Sequence, residues 1–368
     1  MLVSGVEVEV SKSPTQPQRL DGLDVLRFIL SIAVMGFHYL YYGPHSGVVD
    51  GTPLGHAWSY LRFAVESFFI LSGFVIARSI DKRSRFEFAQ SRIVRLLPAI
   101  WICALITHIA ALTIASAGQP QPTLRGFLVA MTFVPLAVSV GGCDWSYWSL
   151  SYELRFYIYV GLGLLWLRSS TGMFRAVCGW MVLSVVALAF PITSRVVLSP
   201  FSAFFIVGCL LHLLRLPDFP RQRALVALVV AAGIAVAQVL AESATKPDFI
   251  QVDVLEAVGI VLVSCALVVG AAHVPPLPAK VASFIKLLGG ASYPLYLLHQ
   301  LLGYYLMQAA ISAGMPMVAS AAIAALICIA LSAVIALVLE PRLAQLVRAM
   351  VQYFGREGRN IVKTVSGR

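Results

Sequence analysis

Charge is what this sequence has least of. Only 12% of its 368 residues are Asp, Glu, Lys or Arg, about half the fraction usual in a soluble domain. That shortage excludes a large water-facing surface. Recognisable soluble catalytic motifs are missing too. There is no GxxxxGK(S/T) loop, no GxSxG elbow, no HExxH pair and no dinucleotide-binding glycine pattern, which excludes the reactions those motifs serve. The six cysteines (Cys103, Cys143, Cys178, Cys209, Cys265, Cys328) form no CxxC or other metal-like spacing. Five lie inside apolar runs, where cysteine behaves as a small hydrophobe, so neither a disulfide framework nor a metal site is expected. The first twenty or so residues lack a basic start, an apolar core and a small-residue cleavage site, so no signal peptide is expected. No internal repeat is visible, so the inverted-repeat signature of many transporters is missing as well.

What is abundant is apolar sequence, at 59% of the chain. It comes in long runs without charge, such as Val177–Ile192, Ala224–Leu240 and Val318–Leu339. Runs of about 18 or more read as membrane spans. Ten spans are expected, at roughly 24–42, 60–79, 96–117, 146–167, 176–192, 200–216, 224–241, 254–272, 289–311 and 317–339. The fold class is then all-α, a polytopic membrane helix bundle. Residues 1–19 are expected to be a disordered tail, 20–345 the membrane domain and 346–368 a basic tail.

Charge placement orients the bundle. The net +10 sits in short loops between apolar runs, as the positive-inside rule describes, so nucleic acid is not an expected partner. The segment 126–140 is apolar but short and holds Pro135. Were it to cross, thirteen basic residues after it would move outside and only Arg195 and Lys246 would move in. It therefore reads as re-entrant or interfacial. The expectation is a multi-pass protein of the inner (plasma) membrane with both termini cytoplasmic.

Ionisable residues at membrane depth are costly and are candidates for function. Arg27 and His38 are eleven residues apart, within about 20° of three full helical turns, so they share a face, about 16 Å apart along the axis. His38 is either a packing histidine or a group that takes and returns a proton near neutral pH. Glu153, counted from a span entering near residue 146, falls at a depth like that of His38. A carboxylate there can orient an imidazole. Glu66 pairs with Arg62 one turn away or belongs to a site. Arg92 and Arg95, three apart, share a face at the inner mouth, and guanidinium forks suit phosphate. His299 lies mid-span, and Glu340-Pro341-Arg342 reads most simply as an interfacial stop.

The order of these segments is informative. Leu23-Asp24-Val25-Leu26-Arg27, followed by His38, resembles the first-span signature of the acyltransferase-3 family of membrane O-acyltransferases. Val65-Glu66-Ser67-Phe68-Phe69-Ile70-Leu71-Ser72-Gly73-Phe74 is similar to its second-span motif, and Arg92-Ile93-Val94-Arg95-Leu96-Leu97-Pro98 to its arginine-rich motif. Trp148-Ser149-Leu150 with Glu153 and Phe156-Tyr157, then Ser292-Tyr293-Pro294-Leu295-Tyr296-Leu297-Leu298-His299, then Glu340-Pro341, resemble later ones. Two details depart from the family pattern: the proline after Tyr293, and the extra charges Asp81, Lys82 and Glu87 before the arginines.

The resemblance implies transfer of an acyl group, usually acetyl, from cytoplasmic acyl-CoA to a hydroxyl. Family acceptors include glycans and lipid-linked saccharides of the cell envelope and some macrolides. Within that frame His38, Glu153, Arg27 and Glu66 are the expected catalytic set. Arg92, Arg95 and Ser72 would hold acyl-CoA, while Asp24, His299 and Glu340 would support them. Membrane lipids are the other expected partners, and no metal is expected. The competing class is a proton-coupled transporter or flippase, which uses buried carboxylates and histidines without acyl chemistry.

Overall fold

The structure is a computed structural model that describes residues 20–80, 84–131, 144–190, 196–245 and 251–366, with side chains for all of these but 130, 354 and 356–366. Among the described residues every regular element is helical. The expected tail 1–19, the extra charges Asp81 and Lys82, and residues 132–140 of the segment read as re-entrant or interfacial lie outside them.

In chain order the main helices are α1 Asp21–Phe37, α2 Ala64–Ser79, α3 Arg85–Thr113, α4 Leu124–Met131 and α5 Trp148–Leu167. They are followed by α6 Ser170–Ala189, α7 Ser202–Leu213, α8 Arg221–Thr245 and α9 Val254–Ala272. The last four are α10 Ala279–Leu298, α11 Leu301–Ser312, α12 Met317–Val334 and α13 Glu340–Ser366. α1 runs on through a π-helical turn, His38–Tyr42, and α12 joins α13 through another, Ile335–Leu339.

Among the described residues eight helical stretches are long and apolar enough to cross a membrane. The expected number was ten. The two that fall short do so for different reasons. α7 is only twelve residues, about 18 Å at 1.5 Å per residue against roughly 30 Å of hydrocarbon. All of its residues are buried, so other helices enclose it. α5 has twenty residues, but its serines, tyrosines, Glu153 and Arg155 dilute its apolar content. The helices at the periphery turn large apolar side chains outward, such as Leu112, Trp166, Val229 and Leu255, as a lipid-facing surface requires.

α2 and α7 form the tightest crossing, because two glycines remove the side chains that would hold the backbones apart. A Cβ at Gly73 would fall 2.2 Å from the Phe205 carbonyl oxygen, and one at Gly208 would fall 2.0 Å from that of Ile70. Small residues at a crossing permit this approach in membranes, where dispersion rather than water expulsion drives association. Gly208→Ala is therefore expected to lower thermal stability in detergent by about 1–3 kcal/mol, the range for overpacking. Gly233→Ala is the control, since nothing lies within 4 Å of a Cβ there. Equal melting temperatures for the two variants would contradict a closed α2–α7 contact.

α13 begins before the expected boundary at 345 and continues past it. It packs along α3 through Val347, Leu343 and Ala344 against Val94 and Leu97. The arginines Arg92 and Arg95 belong to the second and third turns of α3, which starts at a capping box formed by Ser84 and Glu87.

Candidate active site

Two cavities lie inside the bundle. The first is walled by α1, α2, α3, α5 and α10 and collects the cations: Arg27, Arg92 and Arg95 line it, with Glu153, Tyr157 and Ser72. Each is held by a local device. Arg27 Nη1 is 3.2 Å from Asp24 Oδ1, one turn earlier. Gly289 of α10 makes room for that pair, since a Cβ there would lie 2.5 Å from the Asp24 Cβ. The Arg92 guanidinium sits 5.6 Å from the Tyr157 ring centre and 5.7 Å from that of Phe88, and its Nε donates to Ser91 Oγ at 3.2 Å. Aromatic faces attract a guanidinium, and its planar fork suits an anion. Glu153 accepts hydrogen bonds from Ser72 Oγ at 3.0 Å and from the Tyr157 hydroxyl. Glu340, at the start of α13, is within electrostatic reach of Arg95.

The second cavity is lined by His38, Glu66, Arg62, Glu242 and Gln300 among aromatic side chains. His38 opens the π-helical turn of α1; such turns are frequent at functional sites. Its Nδ1 is 3.0 Å from the Tyr304 hydroxyl on α11. The His299 ring centre is 5.1 Å from that of His38. His299 Nδ1 is 2.8 Å from the Tyr296 carbonyl, which accepts its hydrogen. That leaves His299 Nε2 as a buried acceptor with no partner among the described residues. Arg62 reaches Glu242 of α8 at 3.6 Å. Among the described residues no three His, Cys, Asp or Glu side chains gather as metal ligands would.

Val65 and Tyr296 line both cavities, so the cavities meet at these two side chains. Tyr296 is fixed there by a 2.7 Å hydrogen bond between its hydroxyl and Ser149 Oγ.

Glu153 does not share a cavity with His38; it faces the arginines. The depth count placed it with His38, but the start of α5 is set by contacts with the α10–α11 break. Its entry, Trp145–Tyr147, lies at the break between α10 and α11, with Ser146 buried and Trp145 and Tyr147 half-buried. There Ser146 Oγ donates to the Tyr296 carbonyl at 3.3 Å, and Asp144 Oδ2 accepts from Leu301 N at 3.0 Å. With its start fixed there, α5 presents Glu153 to the arginine cavity. The expected span 289–311 is divided at the same place, with His299 and Gln300 in the gap.

The residues that sequence reading passed over are Tyr157, Asp144, Gln300 and Tyr304. Tyr157 was quoted only within a motif, although its spacing of four from Glu153 is a usable signal. Tyr304 on α11 and Gln300 just before that helix lie 266 and 262 residues from His38 in sequence, and no local pattern reports such a pairing.

A family model described as an acyltransferase domain, Acyl_transf_3, matches residues 20–339. The chain is also similar to an acyltransferase of Streptomyces mycarofaciens, Acyltransferase MdmB, with 30% identity over 156 residues. That alignment covers 39% of this chain and 39% of the relative. No solved structure matches.

Proposed function

Because this chain belongs to the acyltransferase-3 family of membrane acyltransferases, we propose that it moves an acetyl group from acetyl-CoA to a hydroxyl of a glycan or other glycosylated acceptor, with His38 as general base. The observation that carries this reading is the pair of cavities, one lined by three arginines and one by a histidine, that meet at Val65 and Tyr296.

Coenzyme A is an anionic nucleotide joined to a long, narrow pantetheine arm. Arg92, Arg95 and Arg27 are the groups suited to its phosphates, since charge-assisted guanidinium bonds are the strong ones. Ser72 and Glu153 line the way inward. The thioester then meets the acceptor at the Val65–Tyr296 junction. With its hydrogen on Nδ1, donated to Tyr304, His38 keeps a lone pair on Nε2. Nε2 takes the acceptor hydroxyl's proton as that oxygen attacks the thioester carbonyl. The C–S bond breaks, and the departing thiolate takes the proton from the imidazolium. An ester and free coenzyme A result. In this reading the arginine end faces the cytoplasm, where acyl-CoA is made, and the membrane is the inner (plasma) membrane.

The test is transfer of labelled acetyl from acetyl-CoA by membranes containing the protein, with mass spectrometry of the envelope glycans. The expected result is a base-labile acetyl ester that disappears when the protein is absent. Glycans of identical mass with and without the protein would overturn the acceptor assignment.

A further inference from the structure

A third cleft opens at the arginine end of the bundle, away from both cavities. It lies where the ends of α2, α7 and α9 meet the start of α8. Arg215, Arg221 and His273 line it, and its walls are aliphatic, with Leu211, Leu225 and Val268 among them. His273 Nδ1 is 2.8 Å from the Val269 carbonyl, so that nitrogen carries the hydrogen. Its Nε2, 3.3 Å from Arg215 Nη1, then accepts from the guanidinium and fixes its direction. Arg78, at the end of α2, is close enough to Arg215 for the two charges to repel. The α8 N-terminus adds its positive end. Among the described residues no acidic side chain lines the cleft, and Asp218 lies exposed in the adjoining turn.

Cations gathered against aliphatic walls are ill matched to one another and well matched to an amphiphilic anion. We propose that this cleft binds the phosphate headgroup of an anionic phospholipid, with the acyl chains along Leu225 and Val268. The aliphatic walls favour a lipid over free phosphate, and basic pockets between membrane helices suit such headgroups. The site is independent of the acyl-transfer chemistry, because none of its lining residues lines either inner cavity. The bland explanation of the same arginines is orientation alone. It differs in what it predicts, since orientation needs no residue-specific lipid.

The experiment is native mass spectrometry of the full chain released from nanodiscs of phosphatidylglycerol and phosphatidylcholine. The wild type is expected to retain one phosphatidylglycerol in preference to phosphatidylcholine. Arg215→Ala/Arg221→Ala should lose that adduct at least about fivefold. Arg168→Ala/Arg175→Ala, which removes the same charge from the turn after α5 and from the second turn of α6, should keep it. The proposal is overturned if the wild type shows no preference for phosphatidylglycerol, or if both double variants lose it alike. It is also overturned if millimolar inorganic phosphate raises the melting temperature of the delipidated protein as much as the lipid does.

Discussion

His38→Ala is expected to lower acyl transfer by about 10²–10⁴-fold, the range a positioned general base contributes, while acetyl-CoA binding stays within about twofold. The separation follows from the geometry. His38 lines one cavity and the three arginines line the other, so removing the imidazole leaves the phosphate contacts in place. Tyr304→Phe is the graded companion. It removes the hydroxyl 3.0 Å from His38 Nδ1 and keeps the ring that fills the buried space. Transfer should fall by roughly tenfold, about the worth of one hydrogen bond, and the pH profile should move because the tautomer is no longer held. Steady-state kinetics in proteoliposomes, with calorimetric titration of acetyl-CoA, separates the two effects. Full activity in a well-folded His38→Ala protein would remove His38 from the mechanism. An unchanged pH profile in Tyr304→Phe would reduce Tyr304 to packing.

The double replacement Arg92→Ala/Arg95→Ala is expected to weaken acetyl-CoA binding by about 10²-fold or more. Hydrogen bonds to charged groups are worth about 1.5–3 kcal/mol each, and 1.4 kcal/mol is tenfold. Lysine at both positions keeps the charge and loses the planar fork, so an intermediate loss of about tenfold is expected. Arg92 also lies over Tyr157 and Phe88. A melting curve must therefore accompany the titration, to separate lost binding from lost packing. Unchanged affinity in a stable double variant would show that these arginines do not hold the donor.

The two outcomes together separate the parts of the proposed mechanism. A protein that binds donor but cannot transfer isolates the histidine cavity. One that transfers only at high donor concentration isolates the arginine cavity. Loss of lipid at Arg215 and Arg221 should change neither, because that cleft lies apart from both.

Hydropathy alone identified a polytopic helical membrane protein, because the cost of placing each side chain in hydrocarbon is local and adds along the chain. Family-like motifs named the residues that converge: Arg27, Arg92, Arg95, Glu153 and Ser72 in one cavity, His38 and Glu66 in the other. Spacing along α1 also separated Arg27 from His38, since rise per residue is fixed within one helix. Only the tertiary structure decided which groups face each other. Glu153 turned toward the arginines because the entry of α5 is tied through Ser146 and Asp144 to the break at His299 and Gln300. His38 found Tyr304 rather than a carboxylate as its Nδ1 partner. Depth counted along one span assumes where that span begins. Here that beginning is set by hydrogen bonds to another helix some 150 residues away, and no local pattern of side chains encodes it.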